Sequence, residues 1–544
     1  MLDVLRAMPA RIRQWVTPNI RAYLENRQPM IWLLSLVIGL SVALAAIGFR
    51  LLIGAVQLYW LGDTTEQVLS AARQTPWYMI MAGPLIGGIV VGIIITKFLP
   101  ARRTGGVADV IEARALAGRR LSLREGIVSA FATAFSLGSG ASAGREGPVI
   151  HLGATLASAV GERMSLPDWS RRTLLAAGVA SAISASFNAP IAGVLFAHEV
   201  ILGHYAMRAF VPIVISSAAG GILSRAWFGD AAAFIVPEYQ ITSYFEFPAF
   251  ALLGVVCAVV AVAFQFALFA ADYVARRTPI PVWALPIIGG LMVGAMGVAF
   301  PHILGVGYET TDLALWGQVP LMLMLTLIVM KTLATAITLA ARFGGGIFSP
   351  SLYLGAMTGG AFGIIAASVF PDLASSQALY SILGMGAVAG AVLGAPISTT
   401  VIVFELTGGY ALSIALLLSV AIAHGITQAL HGHSYFQWQL EMRGLFVQDG
   451  PHRTVLRNAR VMDFMTLPEE DAEPEYFDPD AGTTPLKPQD TLETALRVFD
   501  TGGHTRLPVV AEGKDGRIIG WAEQVQALGH FNRRLIAASE EEHR

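Results

Sequence analysis

From residue 30 to about residue 430 the chain is a succession of apolar segments. The first, MIWLLSLVIGLSVALAAIGFRLLIGAVQLYW, occupies residues 30–60. A helix needs roughly 20 apolar residues to cross a bilayer, so this run is long enough to cross at a tilt. It is too long for the apolar part of a secretory leader, and no small-residue cleavage site follows it. Further apolar segments lie at 77–98, 126–137, 148–160, 172–185, 190–203, 206–227, 247–275, 281–300, 319–341, 350–370, 378–394, 396–407 and 410–430. Hydrocarbon offers backbone amides no water. Such a chain must therefore fold as packed helices, with irregular backbone only where protein or a wet cavity surrounds it. Composition agrees: 14% of the 544 residues are charged and mean hydropathy is +0.60, whereas soluble proteins carry about 25% charge. A net charge of −2 leaves no basic footprint for nucleic acid.

Several segments are too short to cross a core of roughly 30 Å alone. They are interrupted by GREGP (144–148), FNAP (187–190), GGGIFSP (344–350) and LGAP (393–396). Broken apolar helices in corresponding halves of a chain point to a transport site. The halves do correspond. PLIGGIVVG (84–92) matches PIIGGLMVG (286–294), GREGPVIHLGA (144–154) matches GIFSPSLYLGA (346–356), and NAPIAGVLFAHE (188–199) matches GAPISTTVIVFE (394–405). The prolines at 84, 148 and 190 answer those at 286, 350 and 396, offsets of 202, 202 and 206. A unit of roughly 200 residues is duplicated, over about 77–230 and 280–430. The letters alone leave open whether the two copies run parallel or inverted.

A helix that begins at mid-membrane leaves its first N–H groups unbonded and carries about +0.5 charge at that end. That is an anion site. Proline suits the first turn, where its missing N–H is not needed, and Pro148, Pro190, Pro350 and Pro396 each precede an apolar helical run. If the copies face each other, Gly144–Pro148 and Gly346–Pro350 aim two helix starts at one point. Glu146 lies at one of these starts. An ionisable residue inside a membrane is functional by default, so Glu146 reads as an internal anion that occupies the place of a permeating one and leaves it when protonated. The plainer alternative is a carboxylate that caps its own helix or pairs with an arginine.

These segments carry a resemblance. GREGP, GIFSP, FNAPIAGVLF (187–196) and GAPISTTVIVFELTG (394–408) resemble the signature segments of CLC chloride channels and chloride/proton antiporters, over roughly residues 30–445. The resemblance implies an all-α polytopic membrane protein of two inverted repeats with broken, tilted helices, working as a homodimer in a bacterial inner membrane. It implies that Glu146 gates the pathway and that Gly144, Arg145, Gly147, Ile347, Phe348 and Ser349 belong to segments whose backbone amides hold anions. Three departures follow. Gly105, in TGGVA (104–108), stands where the family usually places a serine. Phe436 falls where a tyrosine hydroxyl is usual, with Tyr435 beside it. Val200 takes the place of the internal proton-carrying glutamate of exchangers, leaving Glu199 and His198 as other proton carriers, though His198 also reads as a neutral buried histidine. Val200 favours uncoupled flow of chloride or a similar anion; proton-coupled exchange is the alternative.

Residues 1–29 carry Arg6, Arg11, Arg13, Arg21 and Arg27, which by charge bias places the N-terminus in the cytoplasm, as an amphipathic helix against lipid or a solvated tail. From about 446 the chain turns polar, with an acidic stretch at 468–482. The spacing predicts a helix at 490–501, strands at 506–510 and 517–521, and a closing helix. This small α/β cytoplasmic domain resembles a single CBS repeat, which implies pairing across a dimer and adenine nucleotide near GHTRLPVV (503–510). A ligand sensor with a membrane anchor is a minor alternative. Cys257 is the only cysteine, and His424, His431 and His433 have no metal-site spacing, so no metal and no cofactor are expected. No H-E-x-x-H and no nucleophile set is found, so the chain does not read as an enzyme.

Overall fold

The structure is a computed structural model and describes residues 10–25, 27–116, 120–229, 234, 241–407, 412–446, 450–468, 475–478, 483–511 and 516–543. It divides into two compact units, Met1–Phe436 and Gln437–Arg544. Residues 1–9 of the basic N-terminal segment, most of the acidic stretch at 468–482 and residues 512–515 of the hairpin turn lie outside the described residues.

The first unit is helical. Seven helices among the described residues are long and apolar enough to cross a membrane, including Gln28–Leu61, Trp77–Phe98, Met207–Phe228, Leu321–Ala340 and Phe348–Val369. Their outward faces are apolar too: Leu33, Leu44, Ile222 and Val329 are all more than half exposed. Only a hydrocarbon solvent makes that arrangement favourable, because the backbone is bonded within the helices and the surface has nothing to offer water. The shorter apolar segments are broken helices: Pro190–Phe196, Leu285–Ala299, Gln377–Leu393 and Pro396–Thr407. Two further short helices are Val107–Ala115 and Tyr308–Leu315.

The relation between the two copies is settled by glycine contacts. A Cβ on Gly88 would overlap the Pro286 carbonyl, and one on Gly290 would overlap the Pro84 carbonyl. Gly92 backs onto Trp283, and Gly294 onto Met81. The contacts run in opposite directions along Trp77–Phe98 and Leu285–Ala299, so these equivalent helices cross antiparallel at backbone distance. The copies are therefore inverted. The same reciprocity recurs elsewhere: the Ser136 hydroxyl donates to the Gly344 carbonyl at 3.0 Å, while the Ser142 amide donates to the Thr338 hydroxyl at 3.2 Å. Position i of one copy meets j of the other and j meets i, which is the signature of a two-fold axis.

The second unit is a small α/β unit. Arg506–Val510 pairs antiparallel with Ile518–Glu523, flanked by helices Leu492–Gly502 and Gln524–His543. The first helix is capped by the Thr491 hydroxyl, which accepts from the Thr494 amide at 3.1 Å. Val461, Leu486, Leu492, Phe499, Leu507, Val509 and Ala522 form its core.

Candidate functional site

The two glycine breaks meet. Gly144 and Gly346 form an antiparallel bridge, each amide donating to the other's carbonyl at 2.7 Å. Helix Glu146–Arg163 leaves from one side and helix Phe348–Val369 from the other. In each, the first intrahelical bonds go to the residue before the helix: Val149 to Arg145 at 3.3 Å and Ser351 to Ile347 at 3.0 Å. The amides of Glu146, Gly147, Phe348 and Ser349 precede that turn and have no partner within their helices, while Pro148 and Pro350 carry no N–H. The Gly147 amide nitrogen lies against Gly346, and that of Ser349 against Gly144, with room only for hydrogen at either glycine. Phe348 packs on Phe187 and Phe196, ring centroids 4.8 and 6.4 Å away. Of the glycine amides, that of Gly144 is committed to the Gly346 carbonyl. The donors left for an anion are therefore those of the two helix starts.

Glu146 is fully buried at this junction. Its Oε1 accepts from the Tyr308 hydroxyl at 2.7 Å and from the Ser349 hydroxyl at 2.5 Å. Its Oε2 has no hydrogen-bond partner among the described residues. Arg145 lies alongside, with Nε 4.0 Å from Oε1. The Arg145 guanidinium is turned toward Glu66, with which it forms an ion pair, and it also donates to the Ser186 carbonyl at 3.3 Å. Glu66 is shared with Arg50, whose Nε is 2.9 Å away. The carboxylate at the helix starts is thus bonded to two neutral hydroxyls, while its nearest cation is held by a different carboxylate.

The expected hydroxyl at position 105 has no room. A Cβ on Gly105 would overlap the imidazole of His151, and the Gly105 amide donates to the Ser129 hydroxyl at 2.8 Å. Gly105 thus offers an anion neither side chain nor amide; it makes space for His151. Tyr435 and Phe436 are buried side by side at 5.9 Å, and Tyr435 also packs on Phe269 at 5.4 Å.

His198, Glu199 and Val200 fall in a π-helical turn, Ala197–Leu202, which continues Pro190–Phe196. Val200 is buried. His198 places Nδ1 3.0 Å from the His204 carbonyl, which makes that nitrogen the proton bearer, and stacks on Tyr205 at 5.5 Å. Glu199 is a helix cap: it accepts from the amides of Ile397 at 3.1 Å and Ser398 at 2.7 Å, and from the Ser398 hydroxyl. Glu405, its counterpart at the offset of 206, accepts from the amides of Ile191 at 3.0 Å and Ala192 at 2.7 Å. Each copy's second broken helix is therefore capped by a carboxylate from the other copy. Glu199→Ala and Glu405→Ala should each cost about 1–2 kcal/mol, the usual size of a lost cap. Thermal unfolding in detergent should show both losses at similar size; a silent variant would mean its helix start is held otherwise.

Tyr308 escaped the sequence reading. It opens Tyr308–Leu315, a short helix of polar sequence, YETTDLAL, with no apolar run to mark it. The available signal was the duplication: its counterpart 202 residues earlier is Gly106, so one copy carries a phenol where the other carries none.

The likeness of this chain to known proteins converges on one family. The family model described as voltage gated chloride channel matches residues 87–428. A ClcB-like protein of Ralstonia nicotianae is 31% identical over 395 residues, which cover 70% of this chain and 90% of that protein. The voltage-gated ClC-type chloride channel ClcB of Escherichia coli (strain UMN026) is 27% identical over 412 residues, 74% of this chain and 97% of that one. The crystal structure of a slow cyanobacterial Cl-/H+ antiporter matches with a TM-score of 0.68 at 23% identity, covering 76% of this chain and 97% of that one. At that identity the likeness speaks for the fold.

Proposed function

We propose that this chain, an integral membrane protein that belongs to the voltage gated chloride channel (CLC) family, passes chloride or a similar small anion along a pathway closed by Glu146. The observation that carries this reading is the position of that carboxylate. It is a buried carboxyl group where two helices begin and bring their unbonded amides, so it occupies the place that best suits an anion. A permeating anion and an ionised Glu146 compete for the same electropositive junction. Protonation removes the charge that holds the side chain there, so acid opens the path.

Val200 supports uncoupled flow over exchange. A proton carried to Glu146 from the opposite side needs titratable groups along the way, and an aliphatic side chain at that position provides none. Glu199 is occupied in capping the Pro396–Thr407 helix, which leaves it poorly placed to carry protons. The measurement that decides is the reversal potential in reconstituted membranes under crossed anion and pH gradients. We expect it to follow the anion gradient alone, about 59 mV for a tenfold gradient of a singly charged ion. A shift with the pH gradient at fixed anion gradient would make the protein a proton-coupled exchanger.

A further inference from the structure

We infer that Tyr308 is the latch of the gate: its hydroxyl holds ionised Glu146 at the helix starts and sets how readily acid releases it. The inference rests on the gating role of Glu146.

The geometry of Tyr308 is over-determined. Its hydroxyl is 2.7 Å from Glu146 Oε1. Its ring meets Phe234 edge-on at 5.3 Å, and the Arg145 guanidinium covers it at 4.9 Å. The turn before it is braced from behind. Gly307 has φ 93, and a Cβ there would overlap the Tyr353 ring. Lys331, fully buried, donates to the carbonyls of Ile303 at 3.0 Å and Gly305 at 2.9 Å, its Nζ 5.2 Å from the Tyr353 ring. A buried amine donating to two carbonyls two residues apart fixes the loop that delivers Tyr308.

The duplication separates this arrangement from ordinary packing. Gly307, Lys331 and Tyr353 correspond to Gly105, Ser129 and His151 at the offset of 202, and the pairs make equivalent contacts: Gly105 against His151, Gly307 against Tyr353. The fold therefore builds this corner twice. Only the second copy places a phenol after the glycine, and that phenol reaches the one carboxylate at the junction. In the first copy the same position is Gly106, with open space beside it.

The chemistry suits a reversible hold. A hydrogen bond to a carboxylate is roughly twice as strong as one to a neutral carboxyl group, so the latch weakens when Glu146 takes a proton. An arginine in the same place would grip far harder, and Arg145 is drawn aside by Glu66. The titratable or charged groups facing Glu146 are Tyr308 and Arg145, with Glu66 and Arg50 behind Arg145; Ser349 adds a second, neutral donor.

The test is anion flux from liposomes holding the full chain, against pH, for the parent, Tyr308→Phe, Glu146→Gln and the double variant. Losing one hydrogen bond to an ionised group shifts an equilibrium roughly tenfold. Tyr308→Phe should raise flux at neutral pH by about that factor and move half-activation up by about one pH unit, because less acid is needed for release. On the Glu146→Gln background it should change flux less than about twofold, since the ionised partner is gone. A Tyr308→Phe profile equal to the parent's, or an equal change in both backgrounds, would overturn the latch and leave Tyr308 a packing residue. If Glu146→Gln itself leaves the pH profile intact, it is the gate that fails, and the latch with it. Should Tyr308→Phe fold poorly in detergent, Ser349→Ala removes the second hydroxyl. It must move half-activation in the same direction, and an unmoved profile would equally overturn the proposal.

Discussion

Glu146→Gln should leave anion flux high and nearly flat with pH, where the parent protein should open on acidification. The substitution keeps the side chain's shape and its capacity to accept from Tyr308 and Ser349, but removes the charge. What it takes away is the attraction of an anion for two helix starts, each worth about half a positive charge, together with the charge-assisted part of two hydrogen bonds. In the parent, the closed arrangement depends on the negative charge of Glu146 and is lost when that charge is neutralised. In the variant there is no charge to neutralise, so the behaviour of the acid state extends to all pH. Losing the charge from a buried acceptor of hydrogen bonds that also faces two helix starts shifts such an equilibrium by roughly tenfold or more. Flux at neutral pH should therefore rise by at least about tenfold. Stopped-flow anion efflux from liposomes over about pH 4 to pH 8 is the measurement. A variant that still accelerates on acidification would show that another group closes the path.

Gly345→Val should destroy the site outright. Gly345 has φ 140, in the region that L side chains rarely adopt, and a Cβ there would overlap the side chain of Ala143. The residue lies one position before the Gly144–Gly346 bridge that sets the two helix starts together. Backbone strain costs about 1–3 kcal/mol and forced overpacking about as much again. The sum, about 2–6 kcal/mol, reaches the lower end of the stability of an ordinary domain, about 5–15 kcal/mol. Loss of folded protein in detergent, or a folded protein without flux, is expected. Gly203→Ala supplies the comparison: Gly203 also has positive φ, 73, but nothing lies within 4 Å of its Cβ position, so it should cost only the left-handed penalty of about 1–2 kcal/mol. If Gly345→Val behaved like Gly203→Ala, the bridge would not be what aligns the helices.

The apolar segments and the broken helices were legible because each depends on local chemistry. An apolar run can only be a packed or lipid-facing helix in this composition, and Pro148 and Pro350 mark helix starts wherever they fall in space. The short helix Tyr308–Leu315 was not legible, since its polar first turn, YETT, carries no apolar run. What Gly105 makes room for was not legible for a related reason. A missing serine side chain suggests a missing ligand, but the residue that fills the space, His151, comes from another helix and cannot be inferred from position 105. Glu199 likewise reads as a proton carrier in FAHEVILG, while its acidic oxygens are taken by amides almost 200 residues away.

By itself the sequence determined that this chain lives in a membrane, that its working unit occurs twice, and that its helices break at glycine and proline around an ionisable group. Hydropathy, repeat spacing and the conformational limits of Gly and Pro act within a few residues, so they can be read along the chain. Only the tertiary structure decided that the copies are inverted, that each caps the other's broken helix, and that a tyrosine 162 residues from Glu146 holds its carboxylate. Those facts depend on the two-fold axis that folding creates, and an axis relating distant backbone has no local signature.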